Sequence, residues 1–338
     1  MEYKNININI NKKINLSFEL LRLVLSFWVV VHHCFKDAFK YKKGIFHVPT
    51  FMIMSFYFYY NTLLTKDIIK IKQRFHRILI PYIIWPILIL ILNNILFKYT
   101  KYYLYNKKLL LNDLIIQLVF GQKYHNIFYY QFILIFMTIL CTIISFFFNK
   151  NFVFIFQMLL IIAYIFQYSY CNLQFFEKYS NVIKYSLGNI CELLPFVVMG
   201  VTLRHLNITA KLKSFKYLTI FYIGVIIFLI LKFEIFVRLE GFYYAGVLLN
   251  IGGIGIFILF SLFSFKNKIL IYILNIITKF TGGIYYIHCI CFRLLQNKIL
   301  SIKKRTFQGS LLIYIISYII CYIGNKISYK TKYKFLFN

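Results

Sequence analysis

Charged residues are scarce in this sequence, and acidic residues are the scarcest of all. Only 14% of the 338 residues are charged, and the chain has 9 Asp or Glu against 39 Lys or Arg. A soluble domain of this length needs a largely charged exterior, so the composition excludes one. The lack of acidic residues also disfavours a proton-coupled transporter, because such proteins use acidic relays within the membrane and only Glu192 and Glu234 are candidates here.

Paired cysteines and a cleavable leader are also lacking. The 7 cysteines show no C-x-x-C spacing, so neither a disulfide framework nor a zinc site is indicated. The sequence therefore predicts no metal cofactor. The N-terminus has no small-residue cleavage site after an apolar core, and the first apolar run is interpreted as a retained helix.

Long apolar runs fill the chain instead. Hydrophobic residues make up 61% of it and the mean hydropathy is +0.73, which is typical of membrane helices. We predict an all-α, polytopic transmembrane helix bundle of about ten spans over residues 16–327, between an N-terminal tail (1–15) and a basic C-terminal tail (328–338). The predicted spans are 16–35, 48–65, 76–97, 126–148, 152–170, 190–204, 216–233, 244–264, 270–293 and 309–325.

The formal net charge of +30 does not indicate nucleic-acid binding. The lysines lie between the apolar runs and not on one soluble domain, so they favour anionic lipid headgroups and anionic ligands. Lys and Arg divide almost evenly between the two sides of the predicted bundle, so the positive-inside rule gives no orientation. The connection at 98–125 is predicted to include an amphipathic interfacial helix over residues 109–120.

The first apolar run carries an ionisable residue near each end. Arg22 and His33 are almost three turns apart, so they share one helix face about 16 Å apart along the axis. This arrangement suits an elongated anionic donor held at Arg22 with its reactive end near His33. A snorkelling arginine and an interfacial histidine would give the same pattern. Glu19 is placed for an ion pair with Arg22, and Asp37 either orients His33 or begins the solvated loop.

A second group of positive charges lies at the start of the third predicted span. Arg74 and Arg77 are on one helical turn, close in sequence to Lys66, Lys70 and Lys72. Paired guanidinium groups suit bidentate phosphate binding. The same pattern also fits an ordinary basic juxtamembrane segment, so the residues alone leave both interpretations open.

Six segments resemble, in order, the motifs of the acyltransferase-3 family, bacterial integral-membrane O-acyltransferases that modify cell-surface polysaccharides. The resemblance extends from Leu16 to the tenth span, and its first motif selects His33 over His32. Two positions depart from the family's motifs. In 51–58, Phe56 stands where the family has glycine and would crowd a ligand near that backbone. In 124–134, Phe128 or Tyr129 stands where the family has tryptophan. The segments are Arg22-x10-His33, "FMIMSFYF" (51–58), Arg74-Phe-His-Arg77 with Pro81-Tyr82 and Trp85, "YHNIFYYQFIL" (124–134), "FVVMGVTLRH" (196–205) and "TGGIYYIHCI" (281–290).

The resemblance implies that an acyl group, normally acetyl, passes from cytoplasmic acyl-CoA to a hydroxyl of a surface polysaccharide or lipid-linked sugar. It also implies the bacterial inner (cytoplasmic) membrane, with both termini cytoplasmic. Relatives with an appended esterase-like domain hand the acyl group to it. For this chain, transfer is expected to finish within the membrane domain or on a separate partner.

The resemblance also suggests roles for individual residues. Arg22, Arg74 and Arg77 would bind the donor, and His33 would act as general base or transient acyl acceptor. His288 would orient the sugar or stabilise the oxyanion. His125 and Asp37 are further candidates for binding the acceptor substrate.

Two functions of other classes remain alongside the enzyme. One is a transporter of polysaccharide or lipid-linked sugar. The other is a scaffold that retains the fold without catalysis, which the Phe56 departure favours. Retention of His33 and of the paired arginines favours the enzyme.

Overall fold

The computed structural model describes residues 16–34, 46–100, 108–121, 128–148, 151–172, 181–216, 219–220, 222–224, 247–263, 267–295, 306–328 and 336. Every regular element within these ranges is helical, which confirms the all-α fold. The elements are α1 Leu16–Cys34, α2 His47–Thr65, α3 Ile68–Thr100, α4 Leu111–Phe120, α5 Phe128–Phe148, α6 Phe152–Asn172, α7 Asn181–His205, α8 Ile208–Leu212, a 3-10 turn Lys213–Phe215, α9 Val247–Leu262, α10 Lys268–Thr278, α11 Thr281–Leu294 and α12 Phe307–Ser328.

The helices that could cross a membrane are fewer than the ten predicted spans. Within the described residues, 5 helices are long and apolar enough, or 6 if α10 and α11 form one span. Segments of α6 and α9 are apolar but shorter, at Phe152–Ile162 and Ile251–Leu262. The predicted span at 216–233 lies mostly outside the described residues. Helix α4 confirms the predicted helix at 109–120, with Leu114 and Gln117 buried.

A two-residue turn joins α2 to α3 and sets the position of one candidate residue. Lys66 ends α2 in the left-handed region, with φ 52°, and the Asp67 carboxylate caps α3 by accepting the Lys70 backbone N–H at 3.1 Å. Such a short connection keeps the first turns of α3 close to the end of α2. It therefore brings Arg74, in the second turn of α3, against Ser55 of α2.

The ninth predicted span corresponds to two helices with a bend between them. Helices α10 and α11 meet at an angle of 49°, on either side of Lys279 and Phe280. The Thr281 hydroxyl donates to the Thr278 carbonyl at 3.0 Å and bonds the last turn of α10. The break separates α10 from α11, which has His288 in its middle.

Helices α2 and α7 pack closely around Gly200. A Cβ atom at this position would collide with the Ile53 carbonyl oxygen of α2, so glycine is required for the approach of the two backbones. Two apolar clusters fill the bundle. One surrounds residues such as Met52 and Val197, and the other surrounds Trp85, whose ring stacks on Tyr286 at 5.7 Å between centroids.

Candidate active site

Two histidines from distant parts of the sequence meet inside the bundle. His33 lies in the last turn of α1 and His288 in the middle of α11, and their ring centroids are 5.4 Å apart with an interplanar angle of 36°. His288 is fully buried, whereas His33 is half-buried. Sequence reasoning selected each histidine separately, and the structure brings the two together. Because His33 is only half-buried, it is the more solvent-accessible ring of the pair.

Hydrogen bonds fix the orientation of the His288 ring. Its Nδ1 lies 3.0 Å from the Ile284 carbonyl oxygen. Because a carbonyl can only accept, Nδ1 carries the proton, and Nε2 of the neutral ring has the lone pair. Nε2 lies 3.1 Å from the Cys289 sulfur. His288 is therefore arranged as a proton acceptor at Nε2.

Arg22 lies in the second turn of α1 and forms the predicted ion pair. Its Nη1 is 3.2 Å from each carboxylate oxygen of Glu19. The Arg22 side chain is 40% exposed and that of Glu19 is 22% exposed, so the guanidinium keeps donors available for another anion. Since α1 runs without a break from Leu16 to Cys34, Arg22 and His33 are held about 16 Å apart along its axis.

Arg74 is half-buried and bonded within the protein through all three guanidinium nitrogens. Nε donates to Thr138 Oγ1 at 3.2 Å, Nη1 to the Ser55 carbonyl at 3.4 Å and Nη2 to Ser55 Oγ at 2.8 Å. Arg77, three residues further along α3, is exposed. The sequence placed the two arginines on one turn, but the packing of α2 and α5 gives them different environments.

A protein-family model described as an acyltransferase domain matches residues 15–326. The chain belongs to the acyltransferase-3 family. It is a multi-pass membrane acyltransferase, and the histidine pair and Arg22, Arg74 and Arg77 lie inside the matched region. No curated protein and no solved structure matches the chain.

The Phe56 departure from the acyltransferase-3 pattern has a structural role. Its side chain is fully buried, and the Arg74 guanidinium carbon lies 5.0 Å from its ring centroid. Tyr59 approaches the same guanidinium at 4.2 Å. Both distances are typical of cation–π contacts. Phe56 therefore helps to hold Arg74.

Two tyrosines, which sequence reasoning missed, connect helix α5 to the histidine pair. Tyr130 of α5 is buried. Its ring lies 5.7 Å from that of Tyr285, and the Tyr285 ring lies 6.3 Å from that of His288. The acyltransferase thus has a line of polar-tipped rings that leads from α5 to His288. No sequence spacing could reveal this line, because it crosses from α5 to α11.

Two further histidines extend the pair. His32 lies 5.6 Å from His33 between ring centroids, and the buried His47, at the start of α2, lies 5.2 Å from His32. His47 was not selected from the sequence. Within the part of the chain that the structure describes, no group of three or more His, Cys, Asp or Glu residues could hold a metal ion.

Two sequence candidates, Asp37 and His125, lie outside the described residues. So do the N-terminal tail and all of the C-terminal tail except Ser328 and Leu336. The Leu336 carbonyl accepts a hydrogen bond from Trp85 Nε1 at 3.3 Å. Of the two acidic residues considered for a proton relay, Glu192 is buried and Glu234 lies outside the described residues.

Proposed function

We propose that this acyltransferase transfers an acyl group from cytoplasmic acyl-CoA, with acetyl-CoA as the donor, to a hydroxyl of a cell-surface polysaccharide or lipid-linked sugar. The proposal rests above all on the His33–His288 contact at one end of α1, whose other end carries Arg22. A donor with phosphates at one end and a thioester at the other matches this separation of charge from acid–base groups. The enzyme would lie in the bacterial inner membrane with both termini cytoplasmic, so that the donor meets the Arg22 end first.

The donor phosphates would bind to the arginines that have donors to spare. Arg22 is partly exposed and Arg77 is exposed, and both suit charge-assisted hydrogen bonds to phosphate. Arg74 would contribute its positive charge more than direct contact, because Ser55 and Thr138 already accept from its nitrogens. The pantetheine arm would then pass Tyr130 and Tyr285 on its way to the histidines.

At the histidine end, His33 would act as the general base. It would take the proton from the sugar hydroxyl while the oxygen attacks the thioester carbonyl carbon. When the tetrahedral intermediate breaks its C–S bond, the proton on His33 would pass to the leaving thiolate of coenzyme A. The Nδ1–H of His288 is held by the Ile284 carbonyl and is not available to an oxyanion. His288 would instead position His33, whose ring it contacts. Asp37 and His125 are proposed to orient the acceptor.

Proton NMR of the O-acetyl content of surface polysaccharide tests the proposal. Four strains are compared at equal protein level: a deletion, and the deletion restored with wild type, His33→Ala or His32→Ala. We expect acetyl signals to disappear in the deletion and to return with wild type and with the matched control His32→Ala, but not with His33→Ala. An unchanged acyl content in the deletion would contradict the function, and full restoration by His33→Ala would contradict the role of His33.

A further inference from the structure

Arg204, in the last turn of α7, carries a half-buried guanidinium to which the mechanism above gives no role. Its Nη1 donates to the Tyr57 hydroxyl at 3.4 Å, and its guanidinium carbon lies 5.3 Å from the centroid of the Tyr57 ring. Among the residues that the structure describes, no carboxylate forms an ion pair with it. A guanidinium has five N–H donors, so most of those of Arg204 are available to an anionic ligand.

The packing of α7 on α2 places Arg204 on an inward face of its helix. Gly200 permits this packing, because a Cβ atom there would lie 3.1 Å from the Tyr57 backbone nitrogen. Arg204 is four residues further along α7, so it lies on the same face as Gly200 and points towards α2. The Tyr57 hydroxyl is also 2.8 Å from Oγ1 of Thr209 in α8. Two neighbouring helices therefore fix the ring that Arg204 contacts.

The same tyrosine connects Arg204 to the Arg22 end of α1. The Tyr57 ring lies 6.0 Å from the Phe18 ring, and Phe18 is one turn before Arg22 on the same face of α1. Phe257 of α9 packs against both rings, at 4.9 Å from Tyr57 and 5.1 Å from Phe18 between centroids. Arg22 and Arg204 therefore lie at the same end of the bundle, next to one buried aromatic cluster.

We propose that Arg204 binds a phosphate of the coenzyme A donor together with Arg22, an inference that rests on the proposed function. Coenzyme A has a pyrophosphate and a 3′-phosphate, so its negative charge is more than one guanidinium can pair. Two arginines on different helices contact separate phosphate oxygens and fix the position of the nucleotide.

The position of Arg204 favours the donor over a lipid headgroup, which has the same phosphate chemistry. Arg204 lies on the face of α7 that packs against α2, whereas headgroups reach the outward faces of a bundle. Arg22 also shares α1 with His33. A ligand whose phosphate is held at this end of α1 can therefore extend along the helix to the histidine pair.

The test measures ligand binding by the full-length protein in lipid nanodiscs, without acceptor. We expect Arg204→Gln to raise the Kd for coenzyme A by about 10-fold, the loss of one charge-assisted hydrogen bond. The Kd for pantetheine, which has the thiol arm but no phosphate, should not change. Lys211→Gln is the matched control, because it removes an exposed positive charge from the neighbouring α8. It should bind both ligands as wild type does.

A second measurement uses wild type alone, so it decides the question even if Arg204→Gln folds poorly. Phenylglyoxal modifies accessible arginines, and mass spectrometry of peptides locates the modified residues. We expect coenzyme A to protect Arg204 from modification and pantetheine to give no protection. Modification of Arg204 at the same rate with and without coenzyme A would overturn the proposal.

The outcomes separate this inference from the proposed function. An unchanged Kd for coenzyme A in Arg204→Gln would overturn the role of Arg204, as would equal losses for coenzyme A and pantetheine in a variant with the wild-type Tm. An effect found in phosphatidylglycerol nanodiscs but not in phosphatidylcholine nanodiscs would assign the site to a lipid headgroup and overturn it too. Wild type that binds no coenzyme A would instead overturn the proposed function.

Discussion

The two ends of α1 differ in the chemical groups they carry. Near the start of α1 the Arg22 guanidinium faces the Glu19 carboxylate, and in α3 the Arg74 guanidinium faces Ser55. At the His33 end, rings that are neutral in their ordinary form lie in contact with each other. Charge inside a membrane protein is costly and needs partners, whereas a neutral imidazole can be packed and still keep a lone pair for proton transfer. In the proposed mechanism, donor binding and chemistry are therefore separated along one helix.

Among the variants that test this comparison, removal of His288 should cause the largest loss of activity. We expect His288→Ala to lower kcat by about 100-fold, because the reacting group loses the neighbour that positions it. The KM for acetyl-CoA should stay near the wild-type value, since the arginine end is untouched. Release of free coenzyme A thiol measures both constants. A large rise in KM with unchanged kcat would break the assignment of chemistry to this end.

At the Arg22 end of α1, a substitution should change KM and leave kcat nearly unchanged. Arg22→Ala is expected to raise the KM for acetyl-CoA by about 10-fold, the loss of one charge-assisted hydrogen bond, with little change in kcat. Glu19→Gln provides the matched control, because it removes the ion-pair partner and leaves Arg22 free for phosphate. Its KM should be equal to or below that of wild type. A kcat defect in Arg22→Ala as large as that of His288→Ala would remove the distinction between the two ends.

Local periodicity predicted what lies within one helix, but not what lies between helices. The shared face of Arg22 and His33 follows from 3.6 residues per turn, and α1 keeps it. The same rule placed Arg74 beside Arg77, yet Ser55 and Thr138 engage only Arg74. The contact of His33 with His288 depends on how α1 packs against α11, which no sequence spacing encodes. The break at Lys279 and Phe280 was missed for a related reason, since it contains no proline.

The two arginines of α3 should differ in their effect on stability. Arg74→Ala removes three hydrogen bonds and two aromatic contacts, so we expect a loss of about 2–4 kcal/mol of unfolding free energy. Arg77→Ala, at an exposed position one turn away, should change it by less than about 0.5 kcal/mol. Thermal unfolding in detergent compares the pair. Equal destabilisation would show that Arg74 is not held as described.

The smallest expected effect lies at the turn that positions Arg74. Bonds from Lys70 hold the pKa of the Asp67 carboxyl below its ordinary value. A lowered pKa in the folded state means that the stabilisation is present above the unfolded pKa and is lost as the pH falls through the folded pKa. Asp67→Asn keeps an oxygen to cap α3 but removes the charge. Its Tm should be slightly below that of wild type at neutral pH, and the difference should vanish in acid; a constant difference would contradict this sign.

The most direct test of the central claim measures turnover and donor binding of His33→Ala in the same preparation. We predict that coenzyme A binds with an unchanged Kd while acyl transfer to glycan falls by about 10²- to 10⁴-fold, the contribution of a general base. His32→Ala, altered at the adjacent ring, should retain both properties. Wild-type turnover by His33→Ala, or loss of coenzyme A binding together with turnover, would contradict the separation of chemistry from binding along α1.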